Sequence, residues 1–219
     1  MTDEGTTIID PDGEVIIVLA DANAPFAVLD KKVRSGSSTE GPEKSELATQ
    51  ESDANQDEGR KCYRIQVSAK HLALASPVFK KTLHGGWKES LTFLEKGCVE
   101  ITVHSWDLEA FLILMYLVHC RYRNLPDEIN IELLAKLAIL VDFYDCKDVA
   151  VFIKKKLAIC MENLPATNPR DVMMSIWISW VFEMSQQFTE STSLMMSVSM
   201  GQIKNLGLPI PSKILGGLF

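Results

Sequence analysis

Tyr63-Arg64-Ile65-Gln66-Val67-Ser68-Ala69-Lys70-His71-Leu72-Ala73-Leu74-Ala75-Ser76-Pro77-Val78-Phe79 is the stretch on which the reading of this chain turns. Apolar side chains at 63, 65 and 67 alternate with polar ones, which predicts a half-buried strand. Ser68 stands where a helix N-cap belongs, and the helix from Ala69 is expected to turn Leu72, Leu74 and Ala75 inward. Ser76-Pro77 is a second helix start, serine as N-cap and proline at the first helical position. That short helix carries Val78, Phe79 and Leu83 and ends at Gly85-Gly86.

On the N-terminal side, Glu14 to Leu19 is a compact β-branched run after the turn signal Asp12-Gly13, and it predicts a buried strand. Residues 1–12 are polar and are expected to be a flexible N-terminus. Between Thr39 and Gly59 there are seven acids and one lysine, and no residue from Arg34 to Lys61 is aromatic. Such a segment buries too little apolar area to offset its ordering entropy. It is expected to be a disordered insertion at about 30–61, because a lone strand before it cannot make a domain.

On the C-terminal side, Val99 to Val103 alternates and predicts a strand. Ser105 is expected to cap a helix over Trp106–Val118, apolar nearly all round and therefore central. Residues 124–130 read as a loop with a short strand. Asn130 caps a helix Ile131–Tyr144 with Leu133, Leu137, Leu140, Val141 and Tyr144 on one face. Asp145 opens another, with Val149, Phe152, Ile153, Leu157 and Cys160 as its inner stripe. After Leu164-Pro165, the cap-then-proline pair Asn168-Pro169 starts a helix carrying Met173, Trp177, Trp180, Met184 and Phe188. The tail 206–211 reads as extended. The expected organisation is a domain at 13–161 with its insertion, then a C-terminal helical extension and tail at 165–219.

The formal net charge is −7, which argues against nucleic acid or an anionic membrane as the main partner. The one compact basic run, Lys154-Lys155-Lys156, reads as a solvated helix turn. No basic leader precedes an apolar region at the N-terminus, and the longest apolar runs, Ala110–Val118 and Val172–Phe182, are about half of what spans a bilayer. An intracellular protein, cytoplasmic or nuclear, is expected.

Cys62, Cys98, Cys120, Cys146 and Cys160 are scattered and never form a CxxC pair, so most read as small core side chains and not as a metal or disulfide framework. The histidines 71, 84, 104 and 119 show no ligand spacing. His119 and Cys120 are adjacent, but adjacent side chains diverge by about 100° on a helix, so a buried His beside a core Cys is the plainer account than a catalytic pair. No phosphate-binding loop or nucleophile elbow occurs. The acids Asp107 and Glu109 lie where a cap and the helix dipole use them. No enzyme activity, cofactor or metal is expected.

Trp177 and Trp180 carry two readings. Large apolar side chains at helical spacing usually belong to a core. Trp and Met are also enriched at partner-binding faces, and Met173, Met174, Met184, Met195, Met196 and Met200 crowd this region.

The quoted stretch resembles the BTB/POZ signature, a strand, a helix with leucine four residues before a serine, then Ser-Pro-x-Phe; Leu72, Ser76, Pro77 and Phe79 match. Glu14 to Val18 looks like the first strand of that family. Val99 to Leu117 is similar to its strand and "AF" helix, with Ala110-Phe111 in place, and Leu137 to Tyr144 resembles its "LLxLADxY" helix. The resemblance covers about residues 13–161, and the whole chain, with Trp177-Ile178-Ser179-Trp180 and Gly207-Leu208-Pro209-Ile210-Pro211, is similar to a fungal group of BTB proteins. It implies an α+β fold, a small mixed sheet covered by a helical cluster. It also implies a protein–protein adaptor, one version of which links a partner to a cullin-type ubiquitin ligase. The alternative is a transcription-associated or self-assembling structural module.

This chain has Ser68 and Ala69 where animal members of that family usually place His and a basic residue lining a corepressor groove, so corepressor binding does not carry over. Nothing before the first expected strand has an apolar period, so the family's usual swapped homodimer is not expected. The monomeric cullin adaptors are the nearer analogy. The candidate protein-interaction residues are Ser68, His71, Trp87, Trp177 and Trp180.

Overall fold

Val15–Ala20 (β2) is apolar at nearly every position because it has neighbours on both edges and is covered on one face. The computed structural model describes residues 3–27, 62–149, 151, 168–198 and 205–216. Within them Asp3–Ile8 (β1), β2, Cys62–Val67 (β3) and Val99–His104 (β4) form one sheet in the order β1-β3-β2-β4. β2 runs antiparallel to β3 and parallel to β4, and β1 runs parallel to β3. The registers set Val67, Val15 and Val99 in one row, Ile65, Ile17 and Ile101 in the next, and Tyr63, Leu19 and Val103 in a third. These rows are the core face. Arg64, Glu100 and Thr102 share the opposite face, where Arg64 Nη2 meets Glu100 Oε2 at 2.7 Å. At the turn into β2, a Cβ on Gly13 would stand 2.5 Å from the Val67 backbone, so only glycine fits there.

Among the described residues, eight helices accompany the sheet in an α+β arrangement: Ala69–Ala75 (α1), Pro77–His84 (α2), Lys88–Lys96 (α3), Leu108–Val118 (α4), Ile131–Phe143 (α5), Pro169–Val181 (α6), Ser185–Val198 (α7) and Ser212–Gly216 (α8). α4 packs on α5, α5 on α6 and α6 on α7. The stripe of Leu133, Leu137, Leu140, Val141 and Tyr144 is buried, as its spacing predicts. No helix among the described residues is long and apolar enough to cross a membrane.

Ion pairs tie the C-terminal helices to the rest. Arg170, at the start of α6, sets Nη2 2.7 Å from Glu132 Oε2 and donates through Nε to the Ala27 carbonyl at 3.0 Å. Glu132 Oε1 meets Lys136 Nζ at 3.0 Å, and Lys136 reaches Asp107 Oδ2 at 2.8 Å. The Arg170 guanidinium, helped by Lys136, holds the Glu132 carboxyl below its ordinary range. Partial burial pulls Lys136 down, but the Asp107 and Glu132 carboxylates outweigh it and leave the ammonium above its ordinary value.

Several expectations change. The polar residues expected to be flexible include β1: its backbone ladder to β3 and the buried Ile9 hold them, and Gln66 Nε2 donates to the Pro11 and Gly13 carbonyls at 3.1 and 3.0 Å. α3 adds a helix where none was expected, and Gly97 ends it in the left-handed region at φ 70°. Leu74 is 89% exposed, not inward, since α1 turns Ala69 and Leu72 to the core. α4 is capped by Asp107, whose Oδ1 accepts from Ala110 N at 3.0 Å, while Ser105 sits at φ 63° and cannot cap.

Residues 125–130 are a loop, as expected, but without a strand, and a 3-10 turn at Tyr122–Asn124 leads into it. The helix expected through Phe188 breaks at Glu183, φ 53°, giving α6 and α7. Cys146 is in the core, where burial pushes its thiol up to about 12, but Cys98 and Cys120 are exposed. A 3-10 turn spans Lys147–Val149 where the helix from Asp145 was expected. The insertion at 30–61 and the stripe Phe152, Ile153, Leu157 and Cys160 lie outside the described residues.

Candidate interaction groove

Phe79 and Tyr144 stack with ring centroids 4.3 Å apart and planes within 7°, and this pair is the centre of an aromatic cluster. Ser76 sets it in place. Its hydroxyl accepts from Phe79 N at 3.2 Å, as the N-cap of α2, and donates to the Tyr144 carbonyl at 2.5 Å. Trp106 meets Phe143 edge-on at 5.1 Å, and Phe143 meets Tyr144 at 5.0 Å. Burial pushes the Tyr144 phenol up to about 12.

Above this cluster runs a groove of about 790 Å³. α2 gives it Val78, Lys81 and Thr82; the start of α3 gives Trp87 and Glu89; β4 gives Ile101 to His104. Trp87 is 57% exposed and Phe143 56% exposed, so two large rings stand on its rim in water. A concave apolar site with aromatic side chains at its edge is the usual form of a protein-binding hot spot.

The five sequence candidates do not meet in one place. Trp87 lies on the groove. Ser68 is buried at the start of α1, and its side chain makes no cap bond. The Glu14 carboxylate accepts from Ala69 N at 3.1 Å in its stead, and His119 Nε2 accepts from Ser68 N at 3.0 Å. His71 is exposed with its ring 5.0 Å from His119. Trp177 is 1% exposed and belongs to the core. Trp180 is 46% exposed and stands beside Phe188 between two smaller grooves, of about 390 and 510 Å³. Sequence reasoning missed Trp106 and Phe143. The available signal for Phe143 was its position just off the inner stripe of α5, where an apolar side chain points outward.

His119 ends α4, and both of its ring nitrogens are committed to the backbone. A carbonyl only accepts, so Nδ1 carries the proton towards the Met115 oxygen at 2.8 Å, and Nε2 receives the Ser68 N–H. Burial first of all, and His71 nearby, lower its pKa; Asp10 and the two backbone bonds oppose them. The unfolded chain therefore binds a proton that the folded one refuses. The stability held by this group is complete above its ordinary pKa of 6.5 and is lost as pH falls from there through the lowered folded value. The denaturation midpoint should drop between about pH 7.5 and pH 5.5, and His119→Gln, which cannot titrate, should show a smaller drop. An equal drop in both proteins would refute this assignment.

No protein-family model matches the chain, and a comparison with characterised proteins gave no match.

Proposed function

We propose that this chain is a non-enzymatic interaction module of BTB/POZ type, an adaptor whose scaffold partner is a cullin-type ubiquitin ligase. The observation that carries the reading is the aromatic-rimmed groove bounded by α2, α3, β4 and α5. The element order from β2 onward, two strands, three helices, a strand and two further helices, supports it, since the resembling blocks follow one another in that order, with α3 between the second and the third. Ser76, Pro77 and Phe79, which carry that resemblance, seat the groove's floor.

Exposed rings can be removed without opening the core. Phe143→Ala and Trp87→Ala should each weaken binding by about 1–3 kcal/mol, roughly five- to 150-fold, with thermal stability nearly unchanged. The measurement is gentle co-purification with a cullin, followed by titration of the purified scaffold's N-terminal domain. Absence of any cullin, or binding indifferent to both substitutions, would remove this reading.

A further inference from the structure

β4 is an outer strand of the sheet, and one of its sides pairs with no strand among the described residues. Val99 N donates to the Glu14 carbonyl at 3.0 Å and Ser105 N to the Ala20 carbonyl at 3.0 Å, so alternate residues from 99 to 105 bond inward to β2. Glu100, Thr102 and His104 therefore direct their N–H and C=O groups off the sheet, and none of them takes a backbone partner among the described residues. Gly97 and Ser105, at φ 70° and 63°, end the strand on both sides and confine the open edge to those residues.

An open edge is a template for another strand. We infer that its occupant is a second copy of this chain, joined β4 to β4 in antiparallel fashion about Thr102. Thr102 then faces its own counterpart, and the Glu100 carboxylate of each copy faces the His104 imidazole of the other, which can donate to it. About six backbone hydrogen bonds close in that register. Centring the pair on residue 100 sets carboxylate against carboxylate, and centring it on 104 sets imidazole against imidazole, each with fewer bonds. Within one copy Glu100 also accepts from Arg64 at 2.7 Å, and His104 Nδ1 lies 3.7 Å from Asp21 Oδ2, so both side chains are held near the edge. Trp87 and Phe143, exposed on the groove that β4 borders, supply apolar area that so short a ladder lacks.

The test is sedimentation of the full chain from about 1 µM to about 1 mM. The wild-type protein should pass from monomer to dimer with a Kd on the order of tens of micromolar, as a small interface gives. Thr102→Pro removes the central N–H, which an edge strand tolerates, and should weaken the dimer about 30-fold or more with an unchanged melting temperature. His104→Glu should weaken it too, and the double variant Glu100→Lys, His104→Glu should restore it, since unlike charges again face each other. The charge pair stands as the test if the proline variant fails to fold. A monomer throughout, or a dimer indifferent to these changes, overturns the inference. Cullin binding is read by titration with the purified scaffold domain and self-association by sedimentation of this chain alone, so the two proposals fail separately.

Discussion

Replacing Trp177 with alanine should cost the fold about 3–5 kcal/mol, the usual loss when the largest side chain leaves a closed core. Trp177 lies on α6, which packs against α5 on one side and α7 on the other, and it is 1% exposed. For a chain of this length that cost lowers the melting temperature by about 6–20 °C. One feature moderates the result for a smaller substitution. Among the described residues the indole Nε1 is buried without a hydrogen-bond partner, an arrangement that itself costs about 1–3 kcal/mol. Trp177→Phe removes the orphaned donor along with some volume, so the two effects oppose each other, and its net loss should stay below about 1.5 kcal/mol. Thermal melts of both variants decide the matter. Equal losses would mean that volume alone matters at this position. No loss in either would mean that the C-terminal helices fold independently of the domain that Arg170 ties them to.

Periodicity made the buried half of this fold legible. Ile65 and Val67 alternate because β3 has one covered face, and the Leu133–Tyr144 stripe repeats because α5 packs on α4. Capping serine was legible where it caps. Ser76 combines an N-cap with the proline that follows it, and both roles hold in the structure. Ser68 offered the same local chemistry, but its side chain makes no cap bond, and Glu14, fifty-four residues before it, accepts from the first N–H of the helix at Ala69. No local pattern encodes such a long-range competitor. β1 was illegible for a related reason, since Asp3, Glu4, Thr6 and Thr7 show no strand period and are ordered by the β3 backbone they pair with. The groove was half legible. Its floor follows from the Ser-Pro-x-Phe turn, but its rim needs Trp87 and Phe143 to converge from helices far apart in sequence.

Ser76→Ala should be the second costly change, and the one that joins stability to binding. The hydroxyl does two jobs at once, and the side chain is 1% exposed, so water cannot take over either of them. Losing the N-cap costs about 1 kcal/mol, and leaving the Tyr144 carbonyl unpaired in a buried place costs about 1–3 kcal/mol more, so the sum lies at roughly 2–4 kcal/mol. Ser76→Thr keeps the hydroxyl and should recover part of the loss, limited by the room for one added methyl. The consequence reaches the groove because the same bond fixes the end of α5, where Phe143 turns outward and Tyr144 lies flat on Phe79. A scaffold that recognises the rim through Phe143 should bind Ser76→Ala more weakly even at temperatures where the variant is fully folded, and its near-ultraviolet dichroism should show the aromatic cluster loosened. Unchanged affinity in a destabilised Ser76→Ala protein would place the recognition surface away from Phe143, and the groove would then lose its claim to be the binding site.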